Sequence, residues 1–128
     1  MNVDSRIVDR IGDLIAESLC IERELVTPQS WFAADLDGES LDLLDLSFRI
    51  EREFGVRLAF NDLIPGKSAM TAEGKLTDDA LRKMKERFSS LNIETWRDRR
   101  FDRPLELLQV ADIAAMVQSD RAARAQVP

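Results

Sequence analysis

Ser40 is the residue best placed to carry chemistry in this chain. It lies in Asp35-Leu36-Asp37-Gly38-Glu39-Ser40-Leu41, a short polar turn before an apolar-patterned run that closes on Arg52-Glu53-Phe54-Gly55-Val56. A hydroxyl there is an N-cap or first-turn residue, its oxygen beside amide groups that have no partner within the helix. Those amides and the positive end of the helix dipole also favour an anionic group on the oxygen, so a phosphodiester at Ser40 would be stabilised by local geometry. Capping alone accounts for Asp-Gly-x-Ser before a leucine-rich helix. The company it keeps argues for more: Val26-Thr27-Pro28 upstream, carboxylates Asp42 and Asp45 on the helix, and the Phe-Gly-Val stop beyond them.

Nothing in the chain is equipped to activate that hydroxyl. There are 0 histidines, which removes the usual general base, the usual metal ligand and every Ser-His arrangement. The 5 glycines are scattered, so no phosphate-cradling loop is formed. Asp78-Asp79 imitates an acid/base pair, but adjacent helix positions diverge, and acids in a first turn serve the dipole. No catalytic residue and no metal site are expected, and a group on Ser40 must be placed there by another enzyme.

The elements that position Ser40 are helical. Ile7, Val8, Ile11, Leu14, Ile15 and Leu19 recur at three- and four-residue spacing behind a cap at Asp4 or Ser5, giving a first helix over Ser5 to Leu19. Residues 22–39 show no sustained period and contain Pro28 and Gly38, so they form a long loop, with Trp31-Phe32 folding back on the core. In the second helix Leu41, Leu44 and Phe48 mark one apolar row and Leu43, Leu46, Ile50 and Phe54 an adjoining one, which predicts a wide interior face; Gly55 is a natural stop. Thr77 is a good cap for a further helix over about Asp78 to Leu91, with Leu81, Met84, Phe88 and Leu91 as its apolar stripe, ended by Asn92. Trp96-Arg97-Asp98-Arg99-Arg100-Phe101-Asp102-Arg103 is either a partner-docking or lipid-headgroup surface or a packed loop whose arginines pair with nearby acids. The last helix begins with Pro104 in its first turn and carries Leu107, Leu108, Val110, Ile113 and Val117.

Composition bounds the setting. A chain of 128 residues with 45% apolar residues can bury one modest core, so a single domain over 1–128 is expected. The net charge of −6 argues against nucleic acid and anionic membranes and towards basic protein surfaces. The single Cys20 cannot form an internal disulfide; following Leu19 at the end of a helical pattern, it reads as a buried, inert thiol. With no basic flank at the N-terminus and no apolar run near the ~18 residues of a membrane span, a cytoplasmic monomer without stable membrane insertion is expected.

The window from Val26 to Val56 resembles the acyl carrier protein family around its prosthetic-group site. In that family a segment similar to Leu25-Val26-Thr27-Pro28 leads to an Asp-Leu-Gly-x-Asp-Ser-Leu signature, an acidic helix and a Glu-Phe-Gly-Val ending. Asp35, Leu36, Ser40, Leu41 and Glu53 to Val56 match; Gly38 stands one place after the family's glycine, at whose position this chain has Asp37, and Glu39 replaces the usual aspartate. The resemblance implies an all-α, four-helix acyl-carrier-like bundle with an additional helical insertion, at about 59–103, between the second and last core helices. It implies a non-catalytic carrier in which Ser40 is esterified by 4′-phosphopantetheine from coenzyme A and an acyl chain rides on the arm as a thioester. Glu39, Leu41, Asp42 and Asp45 would recognise partners: a phosphopantetheinyl transferase, and ketoacyl synthases, reductases or acyltransferases of fatty-acid, lipid or polyketide synthesis. Arg49 and Arg52 depart from the family's usually acidic second helix.

A peptidyl or aminoacyl carrier uses the same group but typically shows Gly-Gly-x-Ser, and an unmodified acidic interaction module of the same fold is the other alternative. The insertion, with Gly74-Lys75-Leu76-Thr77, is similar to carriers of very long or hydroxylated chains destined for lipid A. With the apolar stripe of Leu81, Met84, Phe88 and Leu91, the inserted helix would either pack on the bundle and extend its interior for a long chain or only fill the hole made by a long loop.

Overall fold

The computed structural model describes residues 3–58, 71–100 and 104–125. Among the described residues there are four α-helices and no strand: α1 (Ser5–Leu19), α2 (Ser40–Phe54), α3 (Asp78–Arg87) and α4 (Val110–Ala125). The all-α expectation holds. The residue pattern also predicts a short extended or helical turn over Leu58 to Ile64, broken by Pro65-Gly66; apart from Leu58 these lie outside the described residues.

α4 is the axis of the core. Its residues Val110, Ile113, Ala114, Ala115, Met116 and Val117 are buried together with Asp112, Ser119 and Asp120, so it is enclosed on nearly every side, as a helix without a solvent face must be. α1 lies along it through Ile7, Ile11, Leu14 and Ile15, and α2 packs chiefly on α1 through Leu43, Leu46 and Ile50. α3 and the chain after it cover another side, with Leu81, Met84, Phe88, Leu91 and Trp96 joining the same apolar cluster. The loop before α2 is stitched to the start of α4: Phe32 N–H donates to the Leu108 carbonyl at 2.9 Å, Val110 N–H to Ser30 at 3.1 Å and Ala111 N–H to Pro28 at 2.9 Å.

Three expectations are corrected. Cys20 is exposed: it ends α1 in the left-handed conformation, φ 56°, and that reversal turns the side chain off the apolar stripe that Leu19 continues. α3 stops at Arg87 rather than Leu91, because Phe88 leaves helical geometry and Lys85 Nζ donates to the freed carbonyls of Ser89 and Leu91 at 2.8 and 2.9 Å. Phe88 and Leu91 stay in the core, since a turn (Leu91 N–H to Phe88 carbonyl, 3.0 Å) keeps them on one side. Pro104 opens its own short 3-10 turn, Pro104–Leu107, and α4 starts only at Val110.

As far as Arg100 the segment after α3 is a packed loop; Phe101, Asp102 and Arg103 lie outside the described residues. Arg99 lies between the rings of Trp31 and Trp96, 4.8 Å from each, and donates to Asp112 Oδ2 at 2.7 Å. Asp112 also accepts from Trp96 Nε1 at 3.0 Å and from Gln109 N–H at 2.8 Å. Near the other end of α4, Arg87 pairs with buried Asp120, and Ser90 N–H donates to Ser119 Oγ at 3.0 Å. Polar ties thus fix the insertion to α4 at both ends.

Candidate functional site

The turn that delivers Ser40 is built on Trp31 and Phe32. Trp31 N–H donates to Asp35 Oδ2 at 2.7 Å, while the amides of Asp35 and Leu36 return to the Trp31 carbonyl at 3.0 and 3.1 Å. Asp37 N–H donates to Ala33 at 3.0 Å and Gly38 N–H to Phe32 at 2.8 Å. Asp37 is left-handed, φ 59°, the conformation in which glycine is at ease and aspartate among the best substitutes. It occupies the place of the signature's glycine. Gly38 answers a different demand: a Cβ there would have the Phe32 Cζ at 2.7 Å and Cε2 nearer still, and the Phe32 ring is fully buried. The glycine is displaced by one residue because here the ring, not the backbone sign, requires it.

Glu39 is the N-cap of α2 in extended conformation, and Ser40 is the first helical residue. Glu39 N–H donates to Asp42 Oδ2 at 2.8 Å, and the reverse contact completes a capping box. Leu43 N–H makes the first helical bond, to the Glu39 carbonyl at 3.1 Å, so the amides of Ser40 and Leu41 have no acceptor within the helix. Ser40 is exposed, and no partner takes its hydroxyl among the described residues.

α2 presents two opposite apolar rows. Leu43, Leu46 and Ile50 are buried, but Leu41, Leu44 and Phe48 are 77%, 52% and 56% exposed. This corrects the expected wide interior face. At about 100° per residue the two rows lie nearly back to back and cannot both meet one core, a signal the spacing already contained. Sequence reasoning singled out Leu41 here but read Leu44 and Phe48 as interior.

The acids are less free than expected. Asp42 is half-buried in the capping box, and Asp45 accepts from Arg49 Nε at 2.8 Å and Ser18 Oγ at 2.7 Å. Arg49, then Ser18, hold the Asp45 carboxyl below its ordinary range. Arg49 also reaches Glu17 at 3.5 Å, and Glu53 is engaged by Arg10 across to α1.

Residues 9–68 match the family model of the phosphopantetheine attachment site. The acyl carrier protein AcpXL of Rhizobium etli is 44% identical over 50 residues, covering 39% of this chain and 54% of that protein; AcpXL of Rhizobium meliloti is likewise 44% identical over 50 residues, 39% of this chain and 53% of its own length. The acyl carrier protein of Thermosynechococcus vestitus is 37% identical over 54 residues, which is 42% of this chain and 67% of that protein. The chain belongs to the acyl carrier protein family. It spans about half the length of the AcpXL relatives it matches.

Membership implies 4′-phosphopantetheine as the prosthetic group, and the site has the features such a group needs. A phosphodiester requires an accessible hydroxyl and no buried countercharge; Ser40 supplies the hydroxyl at the positive end of α2, beside two amides without helical acceptors. No helix among the described residues is long and apolar enough to cross a membrane.

Proposed function

We propose that Ser40 carries 4′-phosphopantetheine and that the chain, as one domain with an insertion at about 59–103, is a non-catalytic shuttle for acyl groups among enzymes of lipid synthesis. The observation that carries this reading is the exposed hydroxyl at the first residue of α2, inside the segment that matches the attachment-site family. When bound, the group supplies a terminal thiol that holds the acyl chain as a thioester. The protein's own part is to present Ser40 on a rigid turn, to stabilise the phosphodiester with the α2 amides, and to offer Leu41, Leu44 and Phe48 to partners.

Glu39 and Leu41 flank the serine on the surface a phosphopantetheinyl transferase would meet, with Asp42 and Asp45 behind them. A basic groove there would give fast, salt-sensitive encounters suited to a shuttle. Further partners in this reading are acyl-processing enzymes such as ketoacyl synthases, reductases or acyltransferases, met in the cytoplasm by a monomeric carrier. Leu81, Met84, Phe88 and Leu91 enlarge the apolar interior beyond α1, α2 and α4, which supports a long-chain cargo, each methylene taken from water contributing about 0.8 kcal/mol.

Labelling with a fluorescent coenzyme A analogue and a broad-specificity transferase tests the assignment. One label per chain is expected, and none in Ser40→Ala with its helical content unchanged. Label retained in that variant would refute Ser40 as the site.

A further inference from the structure

The outer face of α2 is polarised from end to end. The turn just before Ser40 carries two exposed acidic residues, Asp37 and Glu39, the second also accepting in the capping box. The apolar row Leu41, Leu44, Phe48 follows. Beyond Phe48 stands Arg52, exposed; among the described residues it makes no ion pair or hydrogen bond and acts on Asp45 only as a more distant charge, behind Arg49 and Ser18. The other charges of the helix are spent inside the molecule: Asp45 with Arg49 and Ser18, Glu51 with Arg57 at 2.7 Å, Glu53 with Arg10. Arg52 lies twelve residues past the serine, about 18 Å along the axis at 1.5 Å per residue, and one turn beyond Phe48 on the same side of the helix.

We propose that this face selects a partner enzyme whose docking surface is polarised in the reverse sense: basic groups around the point where the arm enters, an apolar recess for Leu44 and Phe48, and a carboxylate about 18 Å away that receives Arg52. The inference rests on the carrier reading above and adds partner choice to it. A groove that is basic along its whole length meets Glu39 well but places like charge against Arg52, so the cation excludes such enzymes as well as attracting the matched one. The apolar row supplies contact area, and the two charged ends fix direction, which a stripe of three side chains alone would leave reversible. A patch of this size gives a transient complex, in keeping with a carrier that must leave.

The test uses an acyl-transferring enzyme fractionated from the native cells by its ability to acylate the armed wild-type chain from acyl-coenzyme A. Its kcat/KM is measured with wild-type, Arg52→Glu and Arg52→Lys proteins, each first armed and checked by mass. Arg52→Glu is expected to lower kcat/KM by roughly fivefold through KM, the scale of one rim charge pair. Arg52→Lys is expected to keep most of the activity and to form a zero-length carbodiimide link to a carboxylate of the enzyme. Arming of Arg52→Glu by a broad-specificity transferase is expected to be no slower than wild type. An armed Arg52→Glu protein acylated as fast as wild type, or an Arg52→Lys protein that links to no carboxylate, overturns this inference alone. A wild-type chain that takes up no arm overturns the carrier reading and this inference together.

Discussion

Replacing Asp112 by alanine tests what holds the insertion to the bundle. Asp112 and Arg99 have side chains only 8% and 9% exposed. The carboxylate accepts from the Arg99 guanidinium at 2.7 Å, Trp96 Nε1 at 3.0 Å and Gln109 N–H at 2.8 Å. Removing it leaves a buried guanidinium without its counter-charge, held only by neutral acceptors such as the Leu107 carbonyl at 2.7 Å and Gln109 Oε1 at 2.8 Å, and the indole N–H without its acceptor. The cost of breaking a buried pair is about 3–5 kcal/mol, a large share of a typical ~5–15 kcal/mol total, and for a chain of this size corresponds to a melting temperature lower by roughly 10–20 °C. The companion variant Asp112→Leu with Arg99→Met removes both charges and should recover about 1–3 kcal/mol of that loss. Recovery stays partial because Arg99 also stacks on Trp31 and Trp96, contacts worth about 0.5–2 kcal/mol each. Urea unfolding of the three proteins gives the free energies, and amide exchange reports where protection is lost: first in α3 and residues 88–99, then in the Trp31 loop. A single variant costing under ~1 kcal/mol, or a double variant no more stable than the single, would show that the pair does not hold the insertion to the bundle.

Gly38→Ala should destabilise the fold by about 1–3 kcal/mol, because the new methyl overlaps the buried Phe32 ring; thermal unfolding measures it, and partial rescue by Phe32→Leu is expected. Asp42→Ala should cost about 0.5–2 kcal/mol through loss of the capping box, so charge reversal at Asp42 and Asp45 would disturb the helix as well as partner encounters, and melting curves must accompany any rate. Arg10 holds the Glu53 carboxyl below its ordinary range and Arg49 does the same for Asp45; their stabilising effect is therefore complete above the unfolded-state values near pH 4 and is lost as pH falls through the lower folded values. Glu53→Gln should flatten the acid limb of stability measured between about pH 6 and pH 2, and an unchanged limb would remove that pair from the explanation. Amide exchange on forms loaded with short and long acyl chains should show greater protection near Met84 and Phe88 with the longer chain; equal protection would make the insertion scaffolding only.

Much of this was legible from residue types because local rules and tertiary packing agree. Asp4, Thr77 and Gly55 act as the caps and stop their chemistry suggests, and the spacing of Ile7, Ile11, Leu14 and Ile15 defines a buried face. The misreadings arose where tertiary partners decide. α3 ends where Phe88 leaves helical geometry, and Lys85 caps the carbonyls of Ser89 and Leu91 beyond it, contacts that helix propensity does not anticipate. Pro104 starts a separate turn instead of α4, whose first residues are bound to the Pro28–Ser30 loop, a contact remote in sequence. At the site, the place of Ser40 at the start of α2 was visible from its turn, and the Asp45–Arg49 pair follows from their i,i+4 spacing; the hydrogen bond from Ser18 of α1 to Asp45 does not, because no pattern within α2 reveals it. The exposure of Leu44 and Phe48 was available from helical geometry and was hidden by reading two rows as one face.

The most direct measurement is the intact mass of the protein purified from its native cells, taken before and after neutral hydroxylamine, with the Ser40 peptide isolated. The expected result is a mass above that of the sequence by one phosphopantetheinyl group plus an acyl group, loss of the acyl group alone on hydroxylamine treatment, and the remaining arm on the peptide that contains Ser40. A chain at its bare sequence mass, or an arm on any other residue, would contradict the proposal that Ser40 makes this protein a carrier.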